Sequence, residues 1–359
     1  MDTRIHHDFM SISGEIREGY KIVAPNQILA GDNLTIMREM TAESIDLIYL
    51  DPPFNSNSNY EAHSRSSAAG AFFKDTWRET DKNELSALNA DLLSIVQLAE
   101  RVHSKNMMNY LIMMSARLVE MERILKSTGS IYLHCDPTAS HYLKLVMDAI
   151  FGADNYRNEI VWKRDAPGKG GKRFSSQWPR ISDTLLFYSK SKELNFKQEY
   201  SPLKSDQRKI YRYLEEDTGR HYKPVHLDNY SEKSIEQFQK HGLIHTSKTG
   251  KQYKKYYLDE AKQTIGNIWS DIPGFGIRSR AKERTGYPTQ KPLALLERII
   301  KVSSNLDDVV FDPFCGSGTT LIAADRLQRR WIGIDISEKA VETAKSRIEK
   351  EQGLFKEIT

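Results

Sequence analysis

Two short motifs, one near each end of the chain, constrain this sequence more than anything else in it. Asp51-Pro52-Pro53-Phe54 follows the apolar run Ile45-Asp46-Leu47-Ile48-Tyr49-Leu50. Asp312-Pro313-Phe314-Cys315-Gly316-Ser317-Gly318-Thr319-Thr320 follows Val309-Val310-Phe311. A short apolar run closed by a turn signal reads as a buried strand. In an open parallel sheet, ligands bind in the crevice outside the carboxyl ends of the strands. Two chemically loaded strand ends therefore predict an α/β chain with one cleft for two reactants.

The rest of the pattern fits such a sheet. Gln27 to Ala30 reads as a strand running into Gly31-Asp32, with a helix over Leu34 to Met40. Tyr110 to Lys126 carries Leu111, Met114, Leu118, Met121 and Leu125 at helical spacing, a stripe that reads as core packing. Ser130 to Cys135 is a further strand, and Pro137 opens a helix that ends near Phe151. Near the end of the chain a helix from Thr319 to Leu327, a strand from Trp331 to Ile336 and a helix from Ser337 to about Lys350 complete the alternation. Asn55 to Gly70 reads as a mobile loop over the cleft.

Composition narrows the class. The chain has 359 residues, enough for one large domain with an appended one. Cys135 and Cys315 are its only cysteines, which excludes a disulfide framework and a cysteine-rich metal site. No run approaches a membrane span, and Met1 to Tyr20 lacks a secretory core, so a cytoplasmic protein is expected. There is no internal repeat. The formal charge of +4 conceals an asymmetry: Lys163 to Lys291 holds 27 basic and 15 acidic residues, net +12, against −8 for the remainder. That stretch includes the glycine-rich basic run Lys163 to Arg173 and aromatics interleaved with Lys and Arg, such as Tyr253-Lys254-Lys255-Tyr256-Tyr257. A solvated surface accounts for it blandly; an electrostatic footprint for nucleic acid accounts for it functionally.

The motifs say which chemistry. Phe311 to Thr320 takes a strand through a Gly-x-Gly turn into a helix, where small residues admit a ligand to the backbone and the first amides favour a negative group. The next strand, Trp331-Ile332-Gly333-Ile334-Asp335, ends in an acid about 20 residues on, the place of a ribose-hydroxyl partner. The third glycine of a dinucleotide fingerprint is absent, which disfavours a dehydrogenase. In Asp51-Pro52-Pro53-Phe54 two prolines remove two backbone donors and fix an extended turn. Carbonyls, one carboxylate and an aromatic face remain, a set that suits a planar ring bearing an amino group. His134, Asp136 and His141 have no regular ligand spacing, so no metal site is expected.

With these motifs in this order, the chain resembles the amino-methylating DNA methyltransferases that use S-adenosylmethionine, in their beta-type permutation. Tyr287-Pro288-Thr289-Gln290-Lys291-Pro292, Ser130 to Asp136 and Asn158 to Trp162 strengthen the resemblance, which spans most of the chain outside roughly 165 to 285. It implies a Rossmann-like α/β sheet, mostly parallel with helices on both faces and permuted order. Residues 1–164 would be the catalytic part, 165–285 a target-recognition insert, and 286–359 the cofactor part.

Carried over by position, Asp51 and the carbonyl of Pro52, stiffened by Pro53, would accept hydrogen bonds from the target amine, and Phe54 would stack on the extruded base. Tyr is commoner than Phe54 in the family; stacking survives that change. Asp312, Phe314, Gly316, Gly318 and Thr319 would line the methionine side of S-adenosyl-L-methionine. Asp335 would hold its ribose, Asp32 would reach its adenine or amino end, and Lys291 would lie near its carboxylate. Lys163, Arg164, Lys169, Lys172 and Arg173 would meet double-stranded DNA. The resemblance favours N6 of adenine, since Asp rather than Ser opens the first motif. N4 of cytosine, a non-catalytic specificity subunit and a protein- or RNA-directed enzyme are the alternatives. A cognate restriction endonuclease and a homodimer remain open.

Overall fold

Apolar runs without polar alternation form strands buried on both faces, and the computed structural model places them at the centre of the larger of two compact units. It describes residues 23–53, 89–164, 178–275 and 290–356, with the single positions 176, 283 and 287. Within these, eight strands make one sheet: β1 (Gln27–Ala30), β2 (Ile45–Leu50), β3 (Leu125–Cys135), β4 (Tyr156–Lys163), β5 (Ser182–Ser189), β6 (Ile268–Trp269), β7 (Val309–Asp312) and β8 (Arg330–Asp335). Their order is β1-β8-β7-β2-β3-β5-β4-β6. Neighbours from β1 to β3 run parallel, β5 is antiparallel to β3 and β4, and β6 is parallel to β4. This is the mostly parallel, Rossmann-like sheet that the resemblance implies.

Helices cover both faces: α1 (Asn33–Glu39), α2 (Ala90–Val102), α3 (Lys105–Ile124), α4 (Ser140–Phe151), α5 (Leu293–Ser303), α6 (Thr319–Arg326) and α7 (Glu338–Lys356). All six residues of β2 are buried. On one face Ile48, Leu50, Ile131 and Leu133 pack with Leu92 and Val96 of α2, the Leu–Met stripe of α3, and Leu143 and Met147 of α4. Each such side chain stabilises the fold by about 1.5–3 kcal/mol on burial. On the other face Tyr132 stacks on Phe187 with ring centroids 4.3 Å apart, and its hydroxyl meets Ser303 Oγ of α5 at 2.7 Å. Asp46, the polar residue inside the β2 run, is 6% exposed. Its Oδ2 accepts from Val309 N at 2.8 Å and its Oδ1 from Lys126 Nζ at 2.7 Å, which ties the start of β7 to β2.

The chain divides into a larger unit that carries this sheet and a smaller one, Gln198–Gly266. The smaller unit has a four-stranded antiparallel sheet built from Tyr213–Leu214, His221–His226, Gln252–Tyr257 and Ile244–Thr246, with the amphipathic helix Glu232–Lys240. The compact unit lies inside the 165–285 segment that the resemblance sets apart. Inside that segment, Leu185-Leu186-Phe187-Tyr188 is a fully buried run that pairs between β3 and β4 as part of the main sheet. Four apolar residues are too short a signal to stand out from a basic, polar surrounding. The loop expected over Asn55 to Gly70 lies outside the described residues.

Gly333 is central in β8, and α6 sits directly on it. A Cβ there would lie 2.5 Å from Leu321 Cδ1 and 3.1 Å from Cys315 Sγ. Gly333→Ala is therefore expected to cost roughly 1–3 kcal/mol by overpacking, read as a lower thermal midpoint. An unchanged midpoint would show that α6 is not seated on β8 in this way.

A candidate active site at the carboxyl edge of the sheet

Strand order brings four carboxylates to one edge. Asp32 follows β1, Asp335 ends β8, Asp312 ends β7 and Asp51 follows β2, on four adjacent strands. Each is held differently, and those differences define the site.

The glycine turn between β7 and α6 is fixed from three directions. Asp312, only 3% exposed, accepts from Phe314 N at 3.0 Å through Oδ1 and from Thr320 Oγ1 at 2.5 Å through Oδ2. Asp335 accepts from Gly316 N at 2.9 Å and from Ser337 N at 2.8 Å. Arg347 of α7 donates to Ser317 Oγ at 3.0 Å and Thr319 Oγ1 at 3.3 Å. Gly316 and Gly318 are left-handed, with φ of 50° and 77°. A Cβ on Gly316 would meet the ring of Tyr287 at 3.3 Å, and one on Gly318 would meet Ala344 Cβ at 2.8 Å. Gly318 thus admits α7 to the turn, while Gly316 lies under an aromatic ring. Phe314 is half-buried against the core cluster.

Asp32 caps α1 through Thr35 N at 3.0 Å and pairs with Arg117 Nη2 at 2.7 Å. The same guanidinium donates Nε–H to Asn33 Oδ1 at 2.6 Å, and Asn33 Nδ2 donates to Pro313 O at 2.7 Å. Arg117 therefore links the β1 and β7 strand ends. Sequence reasoning missed it; the available signal was a single arginine inside the apolar stripe of α3.

At the end of β2, Pro52 is buried and Pro53 exposed. Asp51 Oδ2 accepts from Lys291, while Oδ1 is buried with no hydrogen-bond partner. Two residues back, Tyr49 Oη meets His134 Nδ1 at 2.9 Å, and His134 Nε2 meets Asp183 Oδ2 at 3.3 Å. Arg164 Nε lies 3.2 Å from the other oxygen of Asp183. Burial pushes the Asp183 carboxyl up, but the His134 hydrogen bond and the Arg164 charge outweigh it and hold the group below the usual carboxylate range. His134 is thus a fully buried member of a polar string across β2, β3 and β5. Arg164, expected on DNA, is engaged in that string, and Lys163 is exposed at the end of β4. Phe54, Lys169, Lys172 and Arg173 lie outside the described residues.

Residues 45–346 match the N6/N4 family described as DNA methylase. The chain belongs to this family. Among the curated relatives of this DNA methylase, the type II methyltransferase M.EcaI of Enterobacter cloacae is 28% identical over 94% of the chain and 73% of its own length. The DNA adenine methyltransferase YhdJ of Escherichia coli K12 is 26% identical over 90% of the chain and 82% of its own length. A solved structure, the cytosine-N4-specific PvuII DNA methyltransferase, shares the fold at a TM-score of 0.51 and 14% identity, covering 90% of this chain and 86% of that one.

The residues fit the family's cofactor, S-adenosylmethionine. Both oxygens of Asp335 accept a backbone N–H and each keeps acceptor capacity for a hydroxyl. An edge of four acids suits a ligand that carries a sulfonium cation. Among the described residues no helix is long and apolar enough to cross a membrane.

Asp312 gives this DNA methylase a pH signature. Burial is the largest influence and pushes its carboxyl up to about 7. Below about pH 4 the group is protonated in both folded and unfolded chains. Between about 4 and about 7 only the unfolded chain gives up its proton, so this contribution to stability falls as pH rises through that window. Asp312→Asn should remove it. The thermal midpoint of the parent chain should drop more between pH 5 and pH 8 than that of the variant, by the equivalent of roughly 2–4 kcal/mol; parallel pH profiles would overturn the assignment.

Proposed function

We propose that this DNA methylase transfers the methyl group of S-adenosylmethionine to N6 of adenine in double-stranded DNA. The observation that carries the reading is Asp51 Oδ1, a buried carboxylate oxygen without a partner at the edge of the sheet. Such an oxygen calls for a donor, and an exocyclic amine is one. Asp at this motif position, in a family whose cytosine members favour Ser, supports adenine.

The chemistry follows from these groups. A base stacked in a duplex is out of reach, so it must be extruded at a cost of a few kcal/mol. The lone pair of its amine is delocalised into the ring. Asp51 and the Pro52 carbonyl accept the two N–H bonds, draw the nitrogen toward tetrahedral geometry and stabilise the positive charge that grows on it. S-adenosylmethionine supplies an electrophilic sulfonium methyl, whose carbon–sulfur bond breaks with its electron pair left on sulfur as the carbon–nitrogen bond forms. The methylated ammonium then gives one proton to water.

Duplex DNA incubated with the chain and S-adenosylmethionine, then digested to nucleosides and weighed, should contain N6-methyldeoxyadenosine within one short sequence context. N4-methyldeoxycytidine instead would reverse the base assignment. Asp51→Ala should abolish transfer while the cofactor dissociation constant stays within about three-fold, whereas Asp335→Ala should weaken cofactor binding ten-fold or more, on the order expected for a lost ligand hydrogen bond. Equal losses in the two variants would mean that Asp51 belongs to the cofactor site.

The smaller unit, Gln198–Gly266, holds 13 basic and 10 acidic residues, while residues 163–180 hold 6 basic and 1 acidic. Within the smaller unit cations also lie on its own rings: Arg220 is 3.7 Å from the Tyr257 centroid and Lys254 is 4.2 Å from that of Phe238. Changing Lys169, Lys172 and Arg173 together should therefore lower the slope of log affinity against log salt by roughly 2–3. An unchanged slope would place the phosphate contacts elsewhere.

A further inference from the structure

The cation over Asp51 has a role that the family resemblance does not assign to it. We infer that Lys291 acts in methyl transfer as the residue that positions the Asp51 carboxylate, rather than as a ligand of the cofactor's carboxylate. This rests on the proposed function, in which Asp51 receives the target amine.

Three observations carry it. The Lys291 ammonium donates to Asp51 Oδ2, and the two side chains are 11% and 15% exposed, so water screens the pair little. The other oxygen, Oδ1, is buried and unpartnered. A carboxylate gripped at one oxygen and open at the other is an oriented, single-sided acceptor. Lys291 is itself held on both sides. Gln290 Nε2 donates to Glu283 O at 2.7 Å, Leu293 N donates to Glu283 Oε2 at 3.1 Å, and α5 begins at Leu293 with Leu295 and Leu296 fully buried. The lysine thus reaches Asp51 from a clamped turn at the start of a helix packed on the sheet.

The grip matters because Asp51 stands at an edge crowded with acids. Without a cation on Oδ2, repulsion from ionised Asp312, the acid at the neighbouring strand end, would favour rotation of the carboxylate away from it, and Oδ1 would lose its aim. With the ammonium on the far oxygen, the carboxylate lies between that cation and the amine on which positive charge develops, so the lysine orients the acceptor and its own repulsion is offset.

The test uses the full chain with Lys291→Met, Lys291→Arg, Asp51→Asn and the double variant Asp51→Asn/Lys291→Met. In cofactor-free protein, thermal midpoints should be non-additive: the double variant should lose clearly less than the two single losses together. At saturating S-adenosylmethionine, single-turnover methyl transfer should fall about 100-fold or more in Lys291→Met, while the cofactor dissociation constant from equilibrium dialysis stays within about three-fold. Lys291→Arg, which keeps the charge, should recover at least about ten-fold of the lost rate. Additive midpoints would overturn the pairing. So would a Lys291→Met chain that binds the cofactor ten-fold or more weakly yet transfers at the parent rate once saturated, since that is how a cofactor ligand behaves. If the parent chain binds cofactor and methylates no DNA, the proposed function falls, while the midpoint cycle still decides the pair.

Discussion

The parallel pairing of β7 with β2 is the contact on which the rest of the site depends. Val310 and Phe311 lie beside Leu47 and Ile48, residues separated by more than two thirds of the chain. Closing so long a loop is entropically costly, and apolar burial on both faces is what offsets it. Asp46 adds direction: its two oxygens hold Val309 N and Lys126, so β7 enters the sheet in one register. A slip of one residue would turn Asp312 to the opposite face. The alignment of the two motifs thus comes from hydrophobic burial, with one buried acid setting the register.

That alignment creates an electrostatic problem, and the molecule solves it with cations from other elements. Four carboxylates on adjacent strand ends repel one another. Arg117 of α3 ties down Asp32, Lys291 ties down Asp51, and Arg347 of α7 holds the turn that Asp335 also holds. Among the described residues Asp312 pairs with no cation and is instead desolvated by burial, which favours its neutral form near pH 7 and below. The edge is acidic enough for a cationic ligand and still compatible with folding, because most of its charge is paired or suppressed. Buried pairs of this kind are weak contributors to stability, so their use here points to the site rather than to the core.

Much of the fold could be read directly. Ile45–Leu50, Val309–Asp312 and Arg330–Asp335 stand within a residue or two of their expected bounds, because apolar runs ended by Asp-Pro or Gly leave little choice. The helix with the methionine stripe is core, as its spacing predicts. What escaped had no local signal. The β5 strand shows only four consecutive apolar residues in a polar stretch, and the roles of Arg117, Arg347 and His134 are invisible to periodicity because their partners are 28 to 85 residues away. The compact unit Gln198–Gly266 had no boundary signal of its own, since it and its basic flanks differ in composition only when they are counted apart.

The sequence by itself determined the chemistry that a strand end can offer. Pro52-Pro53 and the Asp51 carboxylate can present only acceptors, and the Gly316–Gly318 turn can form only where left-handed backbone is allowed, because both properties are local to the residues. Tertiary structure alone decided which charges meet. Lys291 is 240 positions from Asp51 and was read from sequence as a cofactor ligand, yet it lies on the Asp51 carboxylate. The physical reason is that local sterics act over a few bonds, whereas an ion pair depends on where a packed helix delivers its first turn.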